Sequence, residues 1–199
     1  MTILSVHRCL AVLFLLSLSA CGREGPTRPP QDFAPRAVEQ LKVSGGVDGV
    51  RFTWNSPTSD RRGKSLESLD GYQLLRAELS ADQELRLDDL EFNQLTFLPD
   101  QSVATLLSAR EEARNKGQLT RHVKVDPALS QFSFTDQNVR PGQVYFYRIL
   151  PTNQGGIEGE AKNLVRVVYR GEASEVALLS QESLFDAEAG VAMDTESDE

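Results

Sequence analysis

The sequence predicts an all-β fold, an antiparallel sandwich, on three observations. From Val38 onward apolar residues recur at every second position, the period of a strand with one buried face. These runs are short and are separated by turn residues such as Asp70-Gly71 and Arg140-Pro141-Gly142. One stretch after Asp100 departs to a helical period. Several short strands, each with one apolar face, must bury that face against a second sheet.

The first residues lie outside that pattern. The apolar run from Leu10 to Ala20 is 11 residues long, too short for the roughly 20 that span a bilayer. With His7 and Arg8 before it and small residues behind, it has the order of a secretory signal. Leu18-Ser19-Ala20-Cys21 resembles the lipobox of bacterial lipoproteins, where a dedicated peptidase cuts before the cysteine. The resemblance implies that residues 1–20 are removed and that Cys21 carries a diacylglycerol and an amide-linked acyl chain. At about 0.8 kcal/mol per buried methylene, several chains form a lasting membrane anchor. Cys9 leaves with the signal and Cys21 is taken by lipid, so the mature monomer has no disulfide and its domain depends on its core.

Residues 21–34 read as a Pro-rich lipidated tether, with four prolines in the ten residues from Pro26 to Pro35. Cys21, Gly22, Gly25 and Pro26 resemble the C-G-x-K-G-P-L start of LptM-type outer-membrane lipoproteins, with Glu24 and Thr27 departing from it. That likeness implies a role in the assembly of a lipopolysaccharide-export machine. Gly22, where inner-membrane lipoproteins of the enteric type often have Asp, favours by resemblance a cell outer membrane anchor facing the periplasm. In an organism without an outer membrane the anchor is expected in the plasma membrane.

The domain is expected over residues 35–170. Val50, Phe52 and Trp54 alternate with polar residues, as do Tyr72 and Leu74, and then Phe132 and Phe134. QVYFYRILPTNQGG and NLVRVVYRG supply the last strands. In order and chemistry these residues resemble a fibronectin type III domain, an immunoglobulin-like sandwich. Pro35 stands near the first strand, Trp54 on the second, Tyr72 on the third, and FTDQNVRPGQVYFYRI across the next two. The resemblance implies that Trp54 fills the middle of the sandwich and that the Tyr145 hydroxyl bonds back to nearby backbone, as in a tyrosine corner.

That likeness breaks between about residues 79 and 130, where an insertion is expected. DDLEFNQLTFLP reads as an added strand covering a sheet edge. The next segment predicts a helix over 101–116, with Asp100 as cap, Gly117 as stop, and Val103, Leu106, Leu107 and Arg110 on one face. A helix of this length is not stable alone. Its stripe must lie on the sandwich or on a partner, and these four residues are the candidate partner-binding set.

The net charge of −8 does not describe the domain. Nine of the 29 acidic residues and none of the 21 basic ones follow Arg170, so residues 171–199 read as an acidic disordered tail. VALLSQESLF within it is a candidate for a transient helix anchored by Val176, Leu179 and Phe185. RRGK at 61–64 reads as a loop, and no basic cluster with interleaved aromatics suggests nucleic acid.

Catalytic parts are few. The mature chain has one histidine, His122, read as a solvent-facing strand position, and no free thiol, which excludes a His/Cys metal cluster. The pairs Asp88-Asp89 and Glu111-Glu112 are sequence neighbours whose side chains point apart. A glycan hydrolase needs two carboxylates converging at a set separation. No cofactor, metal or catalytic residue is expected. The sequence thus points to a lipid-anchored, non-catalytic binding or adaptor module for an envelope protein or glycan.

Overall fold

The computed structural model describes residues 28–79, 90–162 and 164–179. The signal segment, Cys21, the start of the tether, Asp88-Asp89 and residues 180–199 lie outside them.

The alternating segments form eight strands among the described residues: β1 Glu39–Gly46, β2 Gly49–Asn55, β3 Gly71–Leu79, β4 Asn93–Pro99, β5 Gln131–Asp136, β6 Val144–Thr152, β7 Leu164–Val168 and β8 Glu175–Leu179. A helix, α1, spans Ser102–Asn115. A three-stranded sheet in the order β1-β2-β5 faces a five-stranded sheet in the order β4-β3-β6-β7-β8. Neighbouring strands pair antiparallel throughout. This is the strand order of a fibronectin type III sandwich, with β8 added at one edge.

The core lies where the period-2 faces meet. Val50, Phe52 and Trp54 from β2 pack against Tyr72 and Leu74 from β3, Tyr145, Tyr147 and Ile149 from β6, and Val165 and Val167 from β7. The Trp54 ring stacks on Phe132 at 5.9 Å and meets Tyr72 edge-on at 5.5 Å, and Phe52 meets Tyr147 edge-on at 4.8 Å. Such pairs add to the hydrophobic burial of the rings. The Tyr145 hydroxyl accepts the Arg140 backbone N–H at 2.8 Å, five residues upstream. The tyrosine corner is therefore formed.

Four expectations from sequence need correction. First, the tether does not continue to residue 34. Pro30–Phe33 form a 3-10 helix, Ala34 is fully buried, and the Arg62 guanidinium stacks 4.0 Å above the Phe33 ring. Proline at the start of a short helical turn is favourable, because its missing N–H has no partner there in any case.

Second, the domain does not end at Arg170. Glu175–Leu179, assigned from charge to the tail, are β8, with Val176 packed on the core and Leu179 on a second cluster. Val176 and Leu179 are thus strand residues and not helix anchors. Local composition missed the apolar edge that β7 offers.

Third, β6 is not apolar on one face only. Val144 and Phe146 point away from the core and are buried with Ala77, Leu164 and Val168, with Leu90 and Phe92 packed on them. Leu90 and Phe92, just before β4, thus lie on the outer face of the sheet.

Fourth, His122 lies in a short 3-10 helix, Thr120–His122, and not in a strand, although it is exposed. β4 itself pairs with the edge of β3, as the added strand was expected to do.

Candidate functional site

The end of β4 delivers the chain into a buried polar cluster. One Asp100 carboxylate oxygen accepts the Tyr72 hydroxyl at 2.6 Å and the Ser56 hydroxyl at 2.8 Å. The other accepts the Ser102 N–H and hydroxyl, both at 2.6 Å. Asp100 is buried, as are Ser56 and Ser102. Burial pushes the Tyr72 phenol far above its ordinary pKa, and the hydrogen bond to Asp100 pushes it the same way. Two serines, a tyrosine and an aspartate invite a catalytic reading, but every carboxylate bond is made within the protein. The cluster instead joins the start of α1 to β2 and β3.

Asp100 was expected as the helix cap and stands one position earlier. Gln101 is the capping residue and makes no side-chain bond, while the Asp100 carboxylate reaches over it to the Ser102 N–H. The other end matches expectation. Gly117, at φ 70°, closes α1 with its N–H on the Arg114 carbonyl at 2.9 Å, and the Gln118 N–H reaches the Ala113 carbonyl at 2.8 Å. This is a Schellman closure, which needs a left-handed residue where glycine stands.

A second polar group joins the sheets near the tyrosine corner. Asp136 on β5 accepts Arg76 at 2.9 Å and the Tyr147 hydroxyl at 3.0 Å. Burial works against the Arg76 charge, but the hydrogen bond to Asp136, the Asp136 charge and the neighbouring Tyr147 and Tyr145 together outweigh it and raise the guanidinium pKa. Burial raises the Tyr147 phenol far above its ordinary value, with the Asp136 charge acting the same way. This group is satisfied internally as well.

The predicted stripe on α1 divides between core and surface. Val103 is buried in the main core, Leu106 and Arg110 are half-buried, and Leu107 is 38% exposed. Ala113, absent from the predicted set, completes the inward face. The reason is angular: Val103, Leu106, Arg110 and Ala113 follow one line of the helix, and Leu107 stands beside it. Val103 is therefore a core residue. Leu107 and Arg110 instead line a groove of about 500 Å³ with Glu111, Arg114, Thr120 and Arg121.

The sequence reading missed Arg114 and Arg121. The four-residue spacing of Arg110 and Arg114, which places both on one face, could have revealed the first. Nothing local could have revealed the second, because the turn after Gly117 brings it back to the helix.

A larger groove of about 850 Å³ runs beside the first strand, lined by residues 36–41, Thr58, Ser59, Arg61, Glu160 and Lys162. Arg61 and Glu160 form an ion pair there. Gln40, at φ 52°, sits in the left-handed region where the register of β1 shifts against β2. Among the described residues no three His, Cys, Asp or Glu side chains stand together as a metal site. No helix among them is long and apolar enough to cross a membrane.

Fold and site together define a fibronectin type III-like sandwich that carries an extra helix and a groove lined by arginines. No family model and no curated protein matches the chain. Among solved structures the chain is similar to the FN5 domain of Drosophila Lar, at 13% identity over 74% of this chain and 98% of that one, with a TM-score of 0.33. It is also similar to the third fibronectin III domain of the human KIAA0343 protein, at 15% identity over 77% and 97%, with a TM-score of 0.38. A third is the twitchin kinase region of C. elegans, at 13% identity and a TM-score of 0.40, where the match spans 70% of this chain but 17% of that one. The strand order and the tyrosine corner of the chain itself define its class.

Proposed function

We propose that the protein is a lipid-anchored cell-envelope lipoprotein, held by Cys21, that works without catalysis as a binding or adaptor module for a protein or glycan partner. The observation that carries this reading is the groove beside α1. Its exposed Leu107 shares the lining with Arg110, Arg114 and Arg121, on α1 and the turn after it, outside the two sheets. An apolar centre with a charged rim is the usual composition of a recognition patch. The sandwich supplies a rigid base, because Asp100 and Val103 fasten α1 to the core. The lipobox-like Leu18-Ser19-Ala20-Cys21 supports the anchor, and Gly22 supports an outer-membrane address facing the periplasm.

A second reading is favoured by the Cys21-Gly22 and Gly25-Pro26 pattern: an accessory factor of an outer-membrane machine, with contact made by the first mature residues. One crosslinking pull-down from intact cells separates the two. It compares the full chain with Cys21→Ser, with Arg110→Glu plus Arg114→Glu, and with substitutions confined to residues 22–26. Loss of a partner only in the arginine variant supports the groove, and loss only in the 22–26 variant supports the accessory reading. A membrane-bound chain from which neither variant removes a partner would sink both. Incorporation of labelled palmitate into the native chain and none into Cys21→Ser is expected, and labelling of Cys21→Ser equal to the native chain would refute the anchor.

A further inference from the structure

The described residues hold six ion pairs, which engage Arg61, Arg62, Arg76, Arg140, Arg170 and Lys116. Arg110, Arg114 and Arg121 take part in none of them. They share the groove with one carboxylate, Glu111, while Glu112 is engaged with Lys116. Arg110 and Arg114 are four apart on α1, a spacing at which like charges repel. An anion bound between them would relieve that repulsion.

The same chain contains a segment of complementary chemistry. From residue 180 to 199 there are seven acidic residues and no Lys, Arg or His, with Leu184, Phe185, Val191 and Met193 among them. The segment leaves from β8, the edge of the five-stranded sheet opposite β4, so it must cross the sheet end to reach the groove. β4, β6 and β8 run parallel to one another within the antiparallel sheet. Pro99 pairs with Gly71, and Gly71 with Thr152, so β4 and β6 leave the sheet at one end, where α1 begins. β8 runs the same way and ends at Leu179, paired with Leu164.

Four strand spacings, roughly 19 Å, separate β8 from β4. The groove lies along a helix roughly 20 Å long. β8 also stops level with Arg148, four residues and roughly 13 Å short of Thr152, and the twenty residues after Leu179 extend to roughly 66 Å, enough to cover all three spans.

We infer that the acidic segment 180–199 docks in cis in the α1 groove, its carboxylates on Arg110, Arg114 and Arg121 and an apolar side chain on Leu107. The inference rests on the reading of this groove as the binding surface, and it names the chemistry of the partner: an acidic peptide with an apolar anchor. The tail then competes with any such partner. With an effective concentration on the order of 1 mM and a dissociation constant on the order of 100 µM, it weakens external binding about tenfold.

The test uses the full-length Cys21→Ser chain and a partner variant in which all seven acidic residues after Leu179 are changed to their amides. The probe is a labelled synthetic peptide of the native residues 180–199. The amide variant is expected to bind the peptide, and the native chain to bind it about tenfold more weakly. Arg110→Gln with Arg114→Gln and Arg121→Gln in the amide variant should abolish binding. Carbodiimide crosslinking of the native chain should join tail carboxylates to Lys116 and Lys124 in preference to Lys42, Lys64 and Lys162.

Equal binding of the peptide to both chains overturns docking in cis and leaves the groove as a binding surface. Failure of the peptide to bind the amide variant overturns the inference, and the pull-down above then judges the groove separately. Binding of anionic phospholipid vesicles to the groove, with no binding of the peptide, overturns it in favour of a lipid surface.

Discussion

Asp100 is a buried carboxylate whose neighbours are all hydrogen-bond donors. Its four bonds to Tyr72, Ser56 and Ser102 fasten α1 to the sandwich. Removing it leaves three hydroxyl groups and one N–H to find new partners in a buried site. Asp100→Ala is expected to cost about 3 kcal/mol, and Tyr72→Phe about 1 kcal/mol, in urea unfolding. Near-equal losses would show that the carboxylate is not the centre of the cluster.

The tyrosines carry a pH dependence of known sign. The folded pKa values of Tyr72 and Tyr147 lie above the unfolded value of 10.0. Their stabilisation is intact below that value and is lost as pH rises through and beyond it. Tyrosinate absorbance should therefore appear together with alkaline unfolding. Gradual ionisation of these two residues in the folded protein would contradict their burial.

Asp60 has the opposite sign. Burial acts to raise its pKa, but the hydrogen bonds and charge of Arg62 and the backbone N–H groups of Arg62 and Lys64 outweigh it, and the value falls below the ordinary one. Its stabilisation is present above the unfolded carboxylate pKa of about 4 and is lost as pH drops through the folded value. Asp60→Asn should shift the acid-unfolding midpoint and flatten that limb.

Among the elements, α1 shows why a hydrophobic stripe read from spacing needs a three-dimensional neighbour. Val103 and Leu107 are four apart and qualify equally in sequence, yet one is 9% exposed and the other 38%. Val103→Ala is expected to cost about 2 kcal/mol in unfolding, and Leu107→Ala to remain within about 0.5 kcal/mol of the native chain. The reverse order would mean that the helix is rotated from the position described. Gly117 was legible from sequence because a helix stop needing positive φ favours glycine whatever surrounds it. The Asp100 cluster was not, since Ser56 and Tyr72 approach it only through the pairing of β3 with β4 and the turn after β2.

For the whole molecule, the clearest revision is at the carboxyl side of β7. A chain stopped after Arg170 loses β8 and uncovers part of both hydrophobic clusters, through Val176 and Leu179. Burial of two such side chains in part is worth on the order of 2–3 kcal/mol. The shortened chain should unfold at correspondingly lower urea, and an unchanged midpoint would mark β8 as dispensable.

The sequence by itself determined the sandwich class, the strands through Val168, the helix after Asp100, the tryptophan at the centre and the tyrosine corner. The early strands and the helix follow from periodicity and from local conformational requirements, whereas the central tryptophan and the tyrosine corner are what the resemblance to fibronectin type III domains implies. The tertiary structure decided what the local pattern left open. It added β8, because β7 offered an apolar edge; it drew Pro30–Phe33 onto the domain through Arg62; and it divided the α1 stripe between core and groove. Those outcomes depend on surfaces brought together from distant parts of the chain, which no periodicity within a single segment encodes.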